Sequence, residues 1–560
     1  MENSQISHKL KRLAELMSLL QENPYKVRSF QKAARIVRDH PEDMGLLVDE
    51  NRLKDVPGIG PSLACVIMYY AKAGMVGLER ELEAQLPEGL PDLLDYPGLG
   101  TKKLEILWQE NHITTPEQLM KACKQGQVAS MKGFGAKLQQ NLLDAHAFKI
   151  SHAQDFYLDL AQSVAAQWRE SLSRLESIDK CELTGSVRRG NDLIQSIDFL
   201  VVADMSALIG EMKASWDQDI KPENPLLVKD ASEIPVQLWV TNKQHFALDH
   251  LLGTGGESLL QQLHEMYGDE FQQQIKSLAE QHPGCSERDL CSALNIQWLE
   301  PELRDSYTTY PVDHELIKPT DIRGVFHAHS TWSDGRHSLE DLAEATRRLG
   351  YEYLGITEHS QAAYYANGLK PDRVRAQWEL IDELNAQYDH FHIFKGIEAD
   401  ILSDGRLDYD EELLSGFDFV IASIHSHFHL SGSQQTERIS RALLSPFTTI
   451  LGHPTGRMLK ARPGYAPDLD TIIDVAVEND KMIEINTTPK RLDLDWRYLR
   501  TAREKGLKIS INPDAHQING LKTIPLGVQM ARKGGFTAPE VLNTMPTDAL
   551  HAYLESRRVL

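Results

Sequence analysis

Nine histidines and carboxylates stand out in residues 321–560, because each lies at or near the end of a short apolar segment such as "GVFHAHS" or "FVIASIHSH". Imidazole nitrogens and carboxylate oxygens, without thiolates, form a ligand set that zinc, manganese and iron accept. A lone histidine on a strand is more often a hydrogen-bonded core residue than a ligand. Nine such residues at strand ends instead predict a centre of divalent metals. The nine are His327, His329, Asp334, His359, Glu398, His425, His453, Asp514 and His516.

The segments that carry these residues alternate with helical patterns along the chain. Further examples of the apolar segments are "YLGITEHS", "HIFKGIEADI", "TTILGHP", "MIEINTT" and "KISINPDAH". This rhythm is typical of a parallel β/α barrel, in which the C-terminal ends of the strands gather the site. In the HAH triplet, residues two apart on a strand share a face, so His327 and His329 present two imidazoles together.

Charged residues beside the ligand motifs are candidates for a catalytic role. Arg336, Lys395 and Arg457 are each close in sequence to a ligand and could neutralise phosphate oxygens. The alternative for each of them is an ordinary solvated surface charge. Asp334 in "SDG" is assigned to this catalytic group as well as to the ligands.

Composition limits the class of protein. The chain has 560 residues and a net charge of -22, enough for several domains with cores of their own. Residues 151–320 hold 13 Lys+Arg against 28 Asp+Glu, whereas residues 1–150 hold 19 of each. Any nucleic-acid contact is therefore expected in the N-terminal part. The five cysteines lack CxxC spacing, which argues against a disulfide framework or a thiolate metal site. The sequence has no run of eighteen apolar residues and no signal-peptide pattern. We therefore expect a cytoplasmic bacterial protein without a membrane partner.

Three similar phrases recur near the N-terminus: "VPGIGPSLACVI", "YPGLGTKKLEIL" and "MKGFGAKLQQNL". Each places a glycine-apolar-glycine turn before a helical pattern, which is the helix-hairpin-helix signature. A single GxG is often only a tight turn, but three copies favour a repeated motif whose backbone N–H groups contact DNA phosphates without reading bases. The predicted DNA-binding residues are Gly58, Gly60, Gly98, Gly100, Lys102, Lys103, Gly133, Gly135 and Lys137.

The stretch "GSVRRGNDLIQSIDFLVVAD" in the middle of the chain looks like half of a nucleotidyl-transfer site. It begins with Gly185, Ser186, Arg188 and Arg189. Two-metal phosphoryl transfer needs several carboxylates, and strand alternation makes position 196 the natural partner of Asp198, where this chain has Ser196. The alternative is that the missing carboxylate is Asp192 or Asp204, which requires a shift of strand register.

With these motifs in place, residues 1–320 resemble the bacterial branch of the DNA polymerase X family. That family holds two metals in its palm through an Asp-x-Asp pair and a third aspartate, here replaced by Ser196-Ile197-Asp198 and by Gln237 in "IPVQLWV". The family's Schiff-base lysine of deoxyribose-phosphate lyase corresponds to Val66. The resemblance therefore implies a palm that has lost its metal site.

Residues 321–560 resemble the polymerase and histidinol phosphatase (PHP) family, whose nine-position metal signature they match without substitution. By that resemblance three metals, manganese, zinc or iron, are held. One set is His327, His329, Glu398 and Asp514; a second is Glu398, His425 and His453; a third is Asp334, His359 and His516.

Together the resemblances imply a multidomain fold: an α-helical helix-hairpin-helix region, an α+β nucleotidyltransferase palm and thumb, and a distorted β/α barrel of the PHP kind. The expected domains are 1–90 (helical, with one hairpin motif), 91–150 (fingers-like, with two), 151–305 (palm and thumb), 306–320 (linker) and 321–560 (PHP).

The leading hypothesis is a metal-dependent phosphoesterase acting on DNA, a 3'-5' exonuclease or 3'-end processing nuclease in DNA repair. Its partner would be gapped, nicked or 3'-ended duplex DNA, bound without sequence preference. The alternatives are an active gap-filling polymerase, a DNA-end-binding scaffold with a vestigial barrel, and a small-molecule phosphatase of the histidinol-phosphate type. No sequence feature assigns an oligomeric state.

Overall fold

The computed structural model describes residues 3–557 except 41, 43, 74–76, 217–219, 229–231, 269, 283 and 312–313. The chain divides into two compact units, Met1–Ala153 and Gln154–Leu560. The first unit contains the hairpin repeats, and the second contains both the palm-like segment and the barrel.

The first unit is helical. Its first helix buries Ile6, Leu10, Leu13 and Met17 completely, which are spaced three and four residues apart and so line one face. Proline opens three of the helices, where its missing N–H costs no hydrogen bond. The α-helices are Asn3–Leu19, Pro24–Asp39, Met44–Asp49, Pro61–Ala73, Gly77–Glu83, Thr101–Glu105, Pro116–Lys124, Gln127–Ser130 and Gly135–Ser151, with a π-helical turn at Ile106–Glu110 and 3-10 turns at Leu53–Asp55 and Pro91–Asp95.

Among the described residues, no single helix has the length and apolar composition needed to cross a bilayer. Two short helices separated by a sharp bend, Pro61–Lys72 and Gly77–Glu83, meet that criterion only when they are added together.

The second unit begins with a small α+β part. Its four-stranded sheet has the order β2-β4-β6-β5, and β1 pairs with β3 in a separate two-stranded ribbon. The strands are β1 (Phe156–Tyr157), β2 (Ile178–Thr184), β3 (Leu193–Ile194), β4 (Ile197–Ala203), β5 (Leu226–Val228) and β6 (Val236–Thr241). The helices are Leu158–Leu172, Gly185–Arg189, Met205–Trp216, Phe246–Thr254, Glu257–Tyr267, Phe271–Gln281 and Glu287–Ala293.

The barrel follows as seven parallel strands in sequence order, β7 to β13. A parallel bridge between Ala328 and Ala515 joins the first strand to the chain just after the last, so the sheet closes on itself. Most strands are buried along their whole length, which explains their continuous apolar sequences. The strands are β7 (Gly324–Ala328), β8 (Tyr353–His359), β9 (His392–Asp400), β10 (Phe419–Ser423), β11 (Ile450–Leu451), β12 (Met482–Asn486) and β13 (Ile509–Asn512).

Helices surround this sheet and connect its strands. They are Leu339–Arg348, Pro371–Asn385, Glu411–Leu414, Gly432–Leu444, Leu469–Glu478, Trp496–Glu504, Ile524–Lys533 and Thr547–Ser556. The 3-10 turns of this unit are Pro301–Asp305, Pro319–Asp321, Tyr364–Ala366, Ile518–Thr523, Ala538–Glu540 and Leu542–Thr544.

The palm and the barrel are packed against each other. Val187 and Ile194 of the palm belong to the same buried apolar cluster as Leu492 and Val528 of the barrel. The segment expected to be a linker is also attached to the barrel: the Tyr307 and Tyr310 hydroxyls donate to the carbonyls of residues 534 and 535 at 2.6 and 2.7 Å. The palm is therefore a structural neighbour of the barrel and not a tethered module.

Candidate metal centre

The barrel brings all nine predicted ligands to the C-terminal ends of its strands. Glu398, on β9, lies at the middle of the group and is 1% exposed. Its carboxylate oxygens lie 2.8 Å from His359 Nδ1, 3.0 Å from His453 Nε2, 3.2 Å from His425 Nε2 and 3.3 Å from His327 Nε2. One carboxylate is thus surrounded by imidazoles from four other strand ends.

Two aspartates complete the group around Glu398. Asp514 Oδ1 lies 3.3 Å from His329 Nε2. Asp334 Oδ1 lies 3.4 Å from His516 Nε2 and 3.5 Å from His359 Nε2. Ligand atoms within 4.8 Å of one another form four overlapping sets: His329, Asp334, His359 and His516; His327, His453 and Asp514; His327, His329 and Glu398; and His359, Glu398 and His425.

Several ligand atoms of this cluster have no hydrogen-bond partner although they are buried. Among the described residues these include Nε2 of His327, Nε2 of His329 and Oε2 of Glu398. An unsatisfied buried polar atom costs about 1 to 3 kcal/mol, and native structures contain few of them. A divalent cation would satisfy these atoms together, so the residues fit the bound metals that the barrel's ligand set implies.

The electrostatics of Glu398 and His329 also suit a cation. Burial would raise the pKa of Glu398, but His425 and His327 outweigh it and hold that pKa well below its ordinary value. Burial, together with His516 and His359, lowers the pKa of His329 to about 3. An ionised carboxylate and a neutral imidazole are the forms that bind metal. Burial would lower the pKa of His425, but Glu398 and Asp400 outweigh it and raise that pKa to about 10, so a metal ion bound there would displace a proton from this imidazole.

Three of the ligand residues have an unusual backbone. His327, His453 and Asp514 have φ of +60°, +23° and +50°, in the left-handed region that residues with a side chain seldom occupy. Such conformations cost free energy and persist where the surrounding structure enforces them, most often at functional sites. His327 lies within β7, and His453 and Asp514 each lie two residues beyond the ends of β11 and β13.

Partners outside the nine ligands orient the imidazoles. Asp400 lies with Oδ1 3.1 Å from His425 Nδ1. Glu484 on β12, which the sequence reasoning missed, lies 2.6 Å from His327 Nδ1. In both histidines Nε2 is thereby left facing Glu398, as a ligating histidine requires. The signal for Glu484 was present in "MIEIN", where a carboxylate interrupts a buried apolar strand.

The three predicted basic residues lie in different places. Arg336 borders the cluster: its backbone N–H donates to the carbonyl of His516 at 2.9 Å and its guanidinium to Gln517 at 3.2 Å. Lys395 does not reach the cluster. It is three residues from Glu398 on β9, so its side chain points to the opposite face, and it pairs with Asp382 at 2.6 Å on an outer helix.

Arg457 is also unsuited to bind a substrate phosphate, which corrects the sequence-based expectation. It is 9% exposed and donates to Asp192 at 3.1 Å and to the carbonyl of Arg491 at 2.9 Å, besides pairing with Asp495. Arg491, a basic residue not singled out from the sequence, has its Nε 4.0 Å from Asp514 Oδ2. Arg491 thus brings a guanidinium beside this ligand from a neighbouring loop.

In the palm, β4 and β6 pair in a register that places Gln237 beside Asp198. The Asp198 carboxylate accepts hydrogen bonds from Ser196 Oγ at 2.9 Å and Trp239 Nε1 at 3.2 Å. Burial raises the pKa of this carboxyl group. The two carboxylates considered as alternative partners of Asp198 lie elsewhere. Asp192 faces the barrel, and Asp204 accepts a hydrogen bond from the backbone N–H of residue 207 at the start of a helix.

The arginines of "GSVRRG" are engaged within the second unit. Arg188 pairs with Glu287 at 2.8 Å, and Arg189 pairs with Asp305 at 3.0 Å. Gly185 has φ of +65°, and a Cβ there would lie 2.7 Å from an Asp198 oxygen, so only glycine fits beside Ser186 at this turn. Both arginines are thus held by carboxylates from the last part of residues 151–305.

In the first unit, the predicted hairpin turns precede helices as expected. Gly58 and Gly98 have φ of +92° and +77°, and the helices after the three turns begin at Pro61, Thr101 and Gly135. Lys102 and Lys137 are exposed, whereas Lys103 Nζ donates to the carbonyl of Gly98 at 2.9 Å. Other residues of the motifs are Gly60, Gly100 and Gly133, and Val66 is 8% exposed within its helix.

Comparison with known proteins agrees with this division. Residues 1–75 match the family model of a helix-hairpin-helix domain, residues 90–145 that of a SAM-like helix-hairpin-helix tandem, and residues 326–488 that of the PHP domain. Two proteins named probable phosphatase, from Caldanaerobacter subterraneus subsp. tengcongensis and Thermoanaerobacter sp. strain X514, are 27% and 28% identical and cover 42% and 39% of this chain, and 93% and 95% of the relatives.

A relative named DNA polymerase/3'-5' exonuclease PolX, from Bacillus subtilis strain 168, matches much more of the chain. It is 33% identical over 574 residues, which cover 99% of this chain and 100% of the relative. The hairpin repeats, the palm and the barrel all fall within that alignment. From its N-terminal helices to its metal-ligand barrel, the chain therefore belongs to the DNA polymerase X family, in the bacterial form that carries a PHP domain.

Proposed function

We propose that this protein is a metal-dependent phosphoesterase that removes nucleotides from DNA 3' ends as a 3'-5' exonuclease in DNA repair. The observation that carries the proposal is the convergence of eight other candidate ligands around Glu398 at one end of the barrel. The name of the Bacillus subtilis relative includes this activity. The helix-hairpin-helix regions supply the means of holding DNA.

The ligand sets suit up to three divalent metals, manganese, zinc or iron, with Glu398 shared between sets. Metals bound there supply Lewis-acid stabilisation of a phosphate undergoing hydrolysis. The protein's part is to hold His327 in one tautomer through Glu484 and His425 in one tautomer through Asp400. Arg336 and Arg491, next to His516 and Asp514, are the side chains we assign to phosphate oxygens.

We propose further that the palm does not add nucleotides. Asp198 faces Gln237 and Trp239 instead of a second carboxylate, and one carboxylate does not compensate two dications. The substrate we propose is gapped, nicked or 3'-ended duplex DNA, which the protein holds without sequence preference through contacts to the phosphates. Such a substrate places the activity in the bacterial cytoplasm.

The test is an assay on one gapped duplex whose primer carries a 5' label, in manganese buffer, with and without dNTPs, resolved at single-nucleotide length. We expect the primer to shorten in both conditions. His425→Ala should abolish shortening, because His425 faces Glu398 at 3.2 Å. His429→Ala, an exposed histidine of the same loop, is the matched control and should retain activity. Lengthening of the primer with dNTPs would show an active palm and contradict the proposal.

The second candidate is a phosphatase acting on small phosphate monoesters, favoured by the two relatives named probable phosphatase that cover the barrel. Release of inorganic phosphate from histidinol phosphate, without shortening of DNA, would select it. A protein that binds the gapped duplex but catalyses neither reaction would be a scaffold with a vestigial barrel.

A further inference from the structure

A carboxylate of the palm lies buried against the barrel, directly after the motif that would bind a nucleotide. Asp192 is 2% exposed. Its Oδ1 accepts from Trp496 Nε1 at 3.0 Å, and its Oδ2 accepts from Arg457 at 3.1 Å and from Arg497 at 3.4 Å. All three donors belong to the barrel. Burial of an ionised carboxylate is costly unless it is paired and hydrogen-bonded, so this contact is specific.

Arg457 connects Asp192 to two loops at the mouth of the metal centre. Arg457 itself lies in the loop after β11, four residues beyond the ligand His453. Its guanidinium holds the loop after β12 through the carbonyl of Arg491 at 2.9 Å and through the carboxylate of Asp495. The palm carboxylate therefore fixes the side chain that ties these loops to each other.

The two loops are joined again beside the ligand. Asp493, also in the loop after β12, is fully buried and accepts from the backbone N–H groups of Thr455 at 3.0 Å and of residue 456 at 2.9 Å. The backbone N–H of His453 donates to Glu484 at 3.1 Å. His453, with its strained backbone φ of +23°, thus lies in a loop that hydrogen bonds hold on both sides.

The palm turn that carries Asp192 is itself anchored. Lys533 is completely buried, and its Nζ donates to the carbonyl of Arg189 at 3.2 Å, to Asn191 at 3.0 Å and to Asp305 at 2.6 Å. A Cβ at residue 190 would come within 2.4 Å of Gln529, so barrel and palm backbone approach closely here. The turn presents Asp192 from a fixed position.

From these contacts we infer that Asp192 is a positioning residue of the metal centre: through Arg457 it holds the loop that presents His453. The palm is then a working part of the hydrolase, retained to support the barrel. The inference rests on the proposed hydrolysis at the metal centre, but metal binding tests it independently of any reaction.

The experiment compares the full-length wild type with Asp192→Asn, which keeps the shape and removes the charge. Affinity for Co²⁺ is measured by calorimetry and by the absorption spectrum of the bound ion, and exonuclease kcat and KM are measured with manganese. Outer-shell partners of ligating histidines typically contribute 10- to 100-fold. Because Asp192 acts through Arg457, we expect about a 10-fold loss of Co²⁺ affinity, a changed spectrum, and a lower kcat with the KM for DNA unchanged.

The matched control is Asp204→Asn, the same change at an exposed helix-capping position of the palm, which should behave as wild type. A folded Asp192→Asn protein with wild-type Co²⁺ affinity and spectrum would overturn the inference. If that variant does not fold, Trp496→Phe removes only one donor to Asp192, and we expect a smaller shift in the same direction. No shift there would equally overturn it. A wild type that binds Co²⁺ but does not cut DNA would refute the proposed function and leave the comparison of affinities valid.

Discussion

Replacement of Glu484 by glutamine is the most informative single change at the centre. The carboxylate is completely buried and each of its oxygens meets two hydrogen-bonding groups. Oε2 lies 2.6 Å from His327 Nδ1 and accepts from Asn512 Nδ2 at 2.9 Å; Oε1 accepts from the His453 backbone N–H at 3.1 Å and from Asn486 Nδ2 at 2.9 Å. The surroundings are therefore built for an acceptor with two equivalent oxygens.

In Glu484→Gln one of these oxygens becomes an NH₂ group, which only donates. Whichever way the amide turns, two of the four groups lose their acceptor. Loss of two buried hydrogen bonds costs about 2 to 4 kcal/mol. The substitution affects metal binding through the orientation of His327 or of the His453 backbone. We expect a 10- to 100-fold loss of metal affinity, or about 1.4 to 2.7 kcal/mol of binding free energy.

The assay is calorimetric titration of metal-free protein with Mn²⁺ and with Zn²⁺, together with exonuclease rates at saturating metal. The matched control is Glu352→Gln, a partly exposed glutamate just before β8 whose partners are Arg323 and Thr547. Circular dichroism establishes that both variants are folded. Wild-type metal affinity in a folded Glu484→Gln protein would refute the assignment of Glu484 as the partner that orients His327.

Two further predictions concern other parts of the chain. Burial would raise the pKa of Glu287, but Arg188 and Arg304 lower it to about 2 from an ordinary 4.5. The stabilisation from this ionised carboxylate is complete above about pH 4.5 and is lost as pH falls towards 2. Glu287→Gln should therefore lower the free energy of unfolding of the second unit by about 3 kcal/mol at pH 7. At about pH 4 the difference between variant and wild type should be smaller by about 1 kcal/mol. Urea unfolding measures this, and an equal difference at both pH values would contradict it. In the first unit, replacing the exposed Lys102 and Lys137 by alanine should weaken binding to duplex DNA and reduce the slope of log K against log salt concentration by about 2. Fluorescence anisotropy measures both quantities. An unchanged slope would show that these two lysines do not contact the DNA phosphates.

The ligands of the metal centre could be predicted from the sequence because their chemistry and periodicity are local. A barrel strand is a short apolar run, and a histidine or carboxylate at its end must emerge at the C-terminal mouth. The other eight candidate ligands therefore converge around Glu398 in the structure. The position of Gln237 beside Asp198 was expected only from the resemblance to the polymerase family, because strand alternation relates residues within one strand and gives no register between two strands.

The tertiary structure decided what lies between those elements. Lys395 and Arg457 are close to ligands in sequence. Lys395 nevertheless points outward and pairs with Asp382, and the Arg457 guanidinium pairs with Asp192 and Asp495. Sequence proximity does not give the direction of a long side chain, which depends on the strand face and on partners distant in the chain. Glu484 was missed for a similar reason, since its role arises from His327, 157 residues away.

The sequence by itself determined the parts: a hairpin-bearing helical region, a palm lacking carboxylates at two expected positions, and a barrel with a complete ligand set. Only the tertiary structure showed that palm and barrel share one apolar cluster and that Asp192 is buried in the barrel's surface. Local patterns follow from backbone periodicity, whereas a contact between residues 192 and 457 exists only once both domains have folded and buried their facing charges together.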